Sequence, residues 1–189
     1  TVAAEAQRTM SGVFDLAVST LRADTNPVYP VRKALPKNKT QHKRALTTEE
    51  IGALLRGFDG HRSNFQTVSA FKLMWLTLCR PSEVTGARWE EFDLDEAMWT
   101  IAAPRMKKRK EHRIPLPTQA VDLLRTMQGL SGLSGLSGRS DFVFPHRDDR
   151  TRPMTPATFR QALKILGWNG KYSPHATRTT GSTHLNEMG

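Results

Sequence analysis

The amino-acid sequence predicts an α+β fold, mainly helical, with a small antiparallel sheet. Three observations carry that prediction. Several stretches repeat apolar residues at i, i+3, i+4 and i+7 and have helix-starting or helix-stopping residues at their ends. A central section from Phe92 to Leu116 reads as short strands around a polar turn. A chain of 189 residues with 38% hydrophobic content can bury one ordinary core.

The first stretch, residues 1–23, carries Met10, Val13, Phe14, Ala17 and Leu21 at helical spacing and is expected to be the end of a helical domain whose packing partners lie upstream. From Thr25 to Thr48 no acidic residue occurs, while Arg32, Lys33, Lys37, Lys39, Lys43 and Arg44 gather among three prolines. That composition reads as an extended basic linker, able to lie along a row of phosphates. The domain boundaries expected are therefore 1–40 for the helical end and linker, and 41–189 for the main domain. In LTTEEIGALLRGF, Thr47 and Glu50 have capping-box spacing, and Ile51, Leu54, Leu55 and Phe58 form one apolar face. FQTVSAFKLMWLTLC follows as a more apolar helix with Val68, Phe71, Met74, Trp75 and Leu78 inward. It runs into Arg80, and Pro81 then suits the first turn of a new short helix, so Arg80 falls at a corner.

Strands are expected at about 92–94, 98–103, 111–116 and 142–144. The hairpin between the second and third has a tip made of Arg105, Lys107, Lys108, Arg109 and Lys110, opposed only by Glu111. Thr118 caps the next helix, with Ala120, Val121, Leu124 and Met127 inward, and LSGLSGLSG after it reads as a flexible loop expansion. In TPATFRQALKILG, Thr155 is the expected N-cap, Pro156 the first helical residue and Gly167 the stop. In YSPHATRTTGSTHLNEMG, Ser173 is the expected cap and Pro174 the first position, which puts His175 and Arg178 on one face of the first turn. That turn offers free backbone N–H groups and the positive end of the helix dipole, which suits a phosphate.

Charge narrows the partner. Lys and Arg total 28 against 18 Asp and Glu, a formal charge of +10 and a pI near 10.3, which favours a polyanion and, first among polyanions, nucleic acid. No apolar run approaches the roughly 20 residues that span a bilayer, so no membrane partner is expected. The single cysteine, Cys79, excludes an internal disulfide and a cysteine-rich zinc site; no metal or other cofactor is expected. With no secretory signal at its start, the chain is expected in the cytoplasm.

Taken together, Arg80 with Glu83, a lysine on a hairpin tip, and His175 with Arg178 on a late helix resemble the catalytic domain of the tyrosine recombinase (phage integrase) family, of the prophage and genomic-island type. The similarity spans about residues 45–189 through LTTEEIGALL, LTLCRPSEVTGARWEEFDLDEAMWTI, RMKKRKEHRIPLP, FVFPHRDDRTRPMT and SPHATRTTGSTHLNEMG, and residues 1–40 resemble the end of the family's core-binding domain. The resemblance implies site-specific breakage and rejoining of double-stranded DNA, without a metal, through a 3'-phosphotyrosyl intermediate that integrates or excises a mobile element. It implies Arg80 and Arg178 as the guanidiniums on the non-bridging phosphate oxygens, His175 as a donor or proton shuttle, and Lys107 as the acid for the departing 5'-oxygen, with Glu83 orienting Arg80 or His175. Lys107 is preferred to Lys108 because it stands eight residues before Pro115, although one residue of hairpin register exchanges the two. Arg105, Lys108 and Lys110 are expected to meet DNA phosphates.

The family places its nucleophilic tyrosine, and a further histidine or tryptophan, well after the second arginine. Only Tyr29 and Tyr172 occur here, neither at a position matching the nucleophile, and His184 follows Arg178 too closely to be the further histidine. The expectation is that this polypeptide is a truncated piece that docks on DNA as a monomer without cleaving it, while the complete protein works as a tetramer on DNA. The competing class is a degenerate, non-catalytic DNA-binding protein. A basic RNA-binding protein predicts exposed aromatics for base stacking, whereas Trp75, Trp89 and Trp99 lie in patterned core elements.

Overall fold

A computed structural model describes residues 2–33, 44–60, 65–106, 108–133 and 140–188. The chain divides into two compact units, Thr1–His42 and Lys43–Gly189. In the first, helix α1 (Val2–Ser19) is met by a returning segment that ends in a 3-10 turn, Pro30–Lys33. The return is held by polar contacts. Asn26 is buried and its Nδ2 donates to the Ser11 carbonyl at 3.0 Å and to Asp15 Oδ1 at 2.7 Å, while its Oδ1 accepts the Val28 N–H at 2.9 Å. Met10, Val13 and Leu21, expected to pack against partners upstream, are 53%, 61% and 95% exposed. The basic tract from Lys37 to Lys43 lies outside the described residues; Arg44 forks onto Glu50 with contacts of 2.7 and 2.5 Å.

The second unit is built around one apolar helix. α2 (Thr48–Asp59) starts with the capping box the spacing predicts: Thr47 Oγ1 accepts the Glu50 N–H and Glu50 Oε2 accepts the Thr47 N–H at 2.9 Å. α3 (Phe65–Thr77) packs against α2, α4 (Pro81–Thr85), α5 (Thr118–Leu133), α6 (Ala157–Ile165) and α7 (Ala176–Glu187). It is buried on nearly every side, through Thr67, Ser69, Ala70, Phe71, Leu73 and Met74, which is why its sequence lacks a polar face. Phe71 stacks on Phe58 and meets Phe159 edge to face, tying α2 and α6 to this centre.

The sheet is three-stranded and antiparallel, in the order β1 (Phe92–Asp93), β2 (Met98–Ile101), β3 (His112–Pro115), with Trp99 opposite both Phe92 and Ile114. β2 ends earlier than expected because a 3-10 turn, Ala103–Arg105, begins before Pro104, which has no N–H to give a ladder. The strand expected at 142–144 is reduced to a single bridge, Arg88 with Phe142, since the partner chain turns away at Trp89 and Pro145 cannot donate. α5 runs to Leu133, so the glycine-serine repeat opens in helix rather than loop; residues 134–139 lie outside the described set. α6 closes as predicted: Gly167 has φ +75, its N–H reaches the Lys164 carbonyl, and the Trp168 N–H reaches that of Leu163. Among the described residues no helix is long and apolar enough to cross a membrane.

Candidate active site

The site is assembled where α3 ends. Leu78 has a positive φ of 51, a left-handed turn taken here by a side chain instead of a glycine, and it swings the chain out of α3 into buried Cys79 and then Arg80. Arg80 is the extended N-cap of α4, and its carbonyl receives the Glu83 and Val84 N–H groups at 3.0 and 3.1 Å. Arg80 cannot accept a hydrogen bond from the helix, so only the return half of a capping box exists here: Glu83 Oε2 accepts the Arg80 N–H at 2.8 Å. The same carboxylate pairs with the guanidinium, Nη1 to Oε1, at 2.5 Å. Glu83 is buried at 5% exposure while the Arg80 side chain keeps 36%, so one edge of the guanidinium is fixed by a desolvated carboxylate and the group still reaches the surface. Between the two partners left open by the sequence, Glu83 holds Arg80.

The second half of the site rides on α7. His175 stands at its N-cap and Arg178 three residues on; both are exposed. Ser173 supports the start through its backbone carbonyl, which accepts the Ala176 N–H at 2.8 Å. The opposite face of α7 is buried and consists of small residues. Thr177 Oγ1 shares a hydrogen bond with the buried Tyr172 hydroxyl, Thr180 Oγ1 accepts the Leu46 N–H, and His184 Nε2 meets the Leu46 carbonyl at 2.7 Å. Gly181 touches α3's end so closely that a Cβ there would lie 2.5 Å from Leu78 Cδ2. Arg178 lies one turn before that contact and Arg80 two residues after Leu78, so this close approach brings the two arginine segments together. Both arginines act electrostatically on the buried Cys79. Burial pushes the Cys79 thiol up to about 11, with Glu83 adding to the rise, and both Arg178 and Arg80 pull it back.

The hairpin shows a division of labour. Lys107 lies outside the described residues. Lys108 and Lys110 are exposed, and Arg109 turns the chain with φ 49. Arg105, expected beside them at the tip, is drawn inward instead: its guanidinium pairs with Glu91 and donates from Nη2 to the Glu83 carbonyl at 2.9 Å. A groove lined by Phe65, Trp89, Met127 and Phe142 includes neither Arg80, His175 nor Arg178.

Residues 44–189 match the phage integrase family. The chain belongs to that family. The integrase of Enterobacteria phage P4 is 32% identical over 202 residues, covering all of this chain and 45% of that protein. Prophage integrase IntA of Escherichia coli K12 is 33% identical, over 94% of this chain and 41% of that protein. The integrase-family chain thus spans about half the length of the curated relatives it matches. An integrase of the Tn1549 transposon, solved in complex with a circular intermediate DNA, superimposes with a TM-score of 0.72 at 17% identity, over 97% of this chain and 66% of that one. The mainly helical α+β fold with its small antiparallel sheet is that of a tyrosine recombinase catalytic domain. For this integrase-family chain, sequence periodicity found Leu78 but not its left-handed turn, and it missed Thr177, Thr180 and Gly181. Small and polar residues give no apolar pattern, and the one available signal was a glycine in mid-helix.

Proposed function

We propose that this protein is a site-specific DNA recombinase of the tyrosine type, in which Arg80, Lys107, His175 and Arg178 act on one scissile phosphodiester. A tyrosine hydroxyl attacks phosphorus and gives up its proton towards His175. A P–Oη bond forms as the P–O5' bond breaks, and the departing 5'-oxygen takes a proton from Lys107. Arg80 and Arg178 hold the two non-bridging oxygens, on which charge rises in the pentacoordinate transition state; as fixed guanidiniums they do not reorganise when that charge appears. Attack by a 5'-hydroxyl on the phosphotyrosyl bond reverses the step and exchanges strands.

What supports this reading is that Arg80 is clamped by buried Glu83 and that the Gly181–Leu78 contact joins the segment carrying Arg178 to the one carrying Arg80. Neither tyrosine of the chain suits the attack. Tyr172 is buried, bonded to Thr177, and its hydroxyl is pushed far above its usual range by burial; Tyr29 donates to Asp15 in the first unit. The nucleophile in this reading lies outside the 189 residues. Residues 1–40 serve as the end of a DNA-clamping domain and its basic linker, residues 41–189 as the catalytic domain, and the partner is duplex DNA carrying an attachment site. The test uses full-length protein and a nicked attachment-site duplex that traps the covalent adduct. Wild type is expected to form a protein-DNA adduct, and R80K and R178K to form it about a hundredfold to a thousandfold more slowly, since an ammonium cannot fork across two oxygens. DNA binding with no adduct from the wild-type protein would reduce it to a non-catalytic binder.

A further inference from the structure

Glu91 is 6% exposed yet carries a carboxylate with a full set of donors. Oε2 accepts the Trp99 Nε1–H and the Arg88 backbone N–H, both at 3.1 Å, and Oε1 pairs with Arg105 Nη1. A carboxylate this deeply buried needs its cation, because removing one partner strands the other charge away from water. The Arg105 guanidinium has a second target. Its Nη2 donates to the Glu83 carbonyl at 2.9 Å, and it occupies the space above Gly86, where a Cβ would come within 2.9 Å of Nη2.

That carbonyl is one of those a short helix leaves open at its end. The neighbouring carbonyls of Ser82 and Val84 receive the Gly86 and Ala87 N–H groups, whereas the Glu83 carbonyl receives Arg105. Glu83 in turn holds Arg80 by backbone and by guanidinium. A continuous chain of contacts therefore runs from Glu91 through Arg105 and Glu83 to Arg80. It starts on the sheet side and ends at the surface where the phosphate is proposed to sit.

Resting on the recombinase reading above, we propose that Arg105 is a positioning residue for Arg80 and not a phosphate contact. It fixes α4, and with it the Glu83 carboxylate, in the geometry that aims Arg80. Its fork is what the role requires. One nitrogen serves Glu91 and the other the Glu83 carbonyl, which a lysine's single ammonium cannot reproduce.

The test compares wild type, R105K and G86A in the full-length protein. G86A retains every ionisable group and crowds the Arg105 guanidinium, with the Ser82 carbonyl 3.2 Å from the added Cβ. At saturating DNA, single-turnover adduct formation is expected to fall roughly 100-fold in both variants, the size of effect that follows from misplacing a reacting group by about 1 Å. Binding affinity and its salt dependence are expected to stay at wild-type values, whereas K108A lowers the salt slope by about one. Amide exchange over Arg80–Gly86 is expected to quicken in R105K and G86A and not in K108A. Unchanged adduct formation in both R105K and G86A would overturn the inference. Unchanged exchange over Arg80–Gly86 would overturn it too, and that readout needs no cleavage. If wild type forms no adduct, the recombinase reading fails while exchange still decides whether Arg105 holds α4.

Discussion

Leu78 and Gly181 meet where two remote stretches of chain must touch, and the contact asks something unusual of each. Leu78 accepts a left-handed backbone that costs a residue with a Cβ about 1–2 kcal/mol, and its side chain then fills the space that Gly181 leaves on α7. G181A is therefore expected to destabilise the protein by about 1–3 kcal/mol, as overpacking of a filled contact does, seen as a lower thermal midpoint. Because Arg178 is one turn away, the same variant is expected to slow adduct formation by more than it weakens DNA binding. Arg80 and Glu83 divide their work differently. The carboxylate is spent on orientation inside the protein, which leaves the guanidinium's exposed edge for an anion.

At the scale of elements, local chemistry set most of the boundaries. Thr47 and Glu50 begin α2, Pro81 opens α4 directly after Arg80, and Gly167 ends α6, each through contacts within four residues of chain that the sequence displays directly. The α2 cap also sets a pH dependence. Its Glu50 carboxyl is held down to about 2, first by the Arg44 fork and then by the Thr47 N–H. That folded value lies below the ordinary carboxylate value of about 4.3, so the interaction's stabilisation is whole above about pH 4.3 and is lost as pH falls towards 2. Unfolding midpoints of wild type and E50Q measured across that window are expected to differ at pH 5 and to converge near pH 2. What the sequence did not display depends on distant partners. Arg105 turns inward for Glu91, which lies fourteen residues back on another element, and no local pattern announces it. The segment at Phe142 forms one bridge in place of a strand because its neighbour turns at Trp89, and α7 buries threonines that carry no hydrophobic period. For the site, Arg80, Glu83, His175 and Arg178 were readable as motifs, while the Leu78–Gly181 contact between their segments was not.

For the whole molecule, the +10 charge suits the proposed DNA partner without specifying any sequence. The exposed Lys108 and Lys110 fit that role, while Arg80, held by Glu83, is the cation proposed for catalysis. In the proposed reaction, surface lysines set affinity and its salt dependence, and Arg80 and Arg178 set the rate. The proposal requires Arg80 and Arg178 to converge on one phosphodiester. The most direct measurement is a structure of the protein on a nicked attachment-site duplex with the scissile phosphate in place. The expected result puts guanidinium nitrogens of both arginines about 2.7–3.1 Å from that phosphate's two non-bridging oxygens. A scissile phosphate bound elsewhere, with Arg80 and Arg178 contacting different phosphates or none, would contradict the claim.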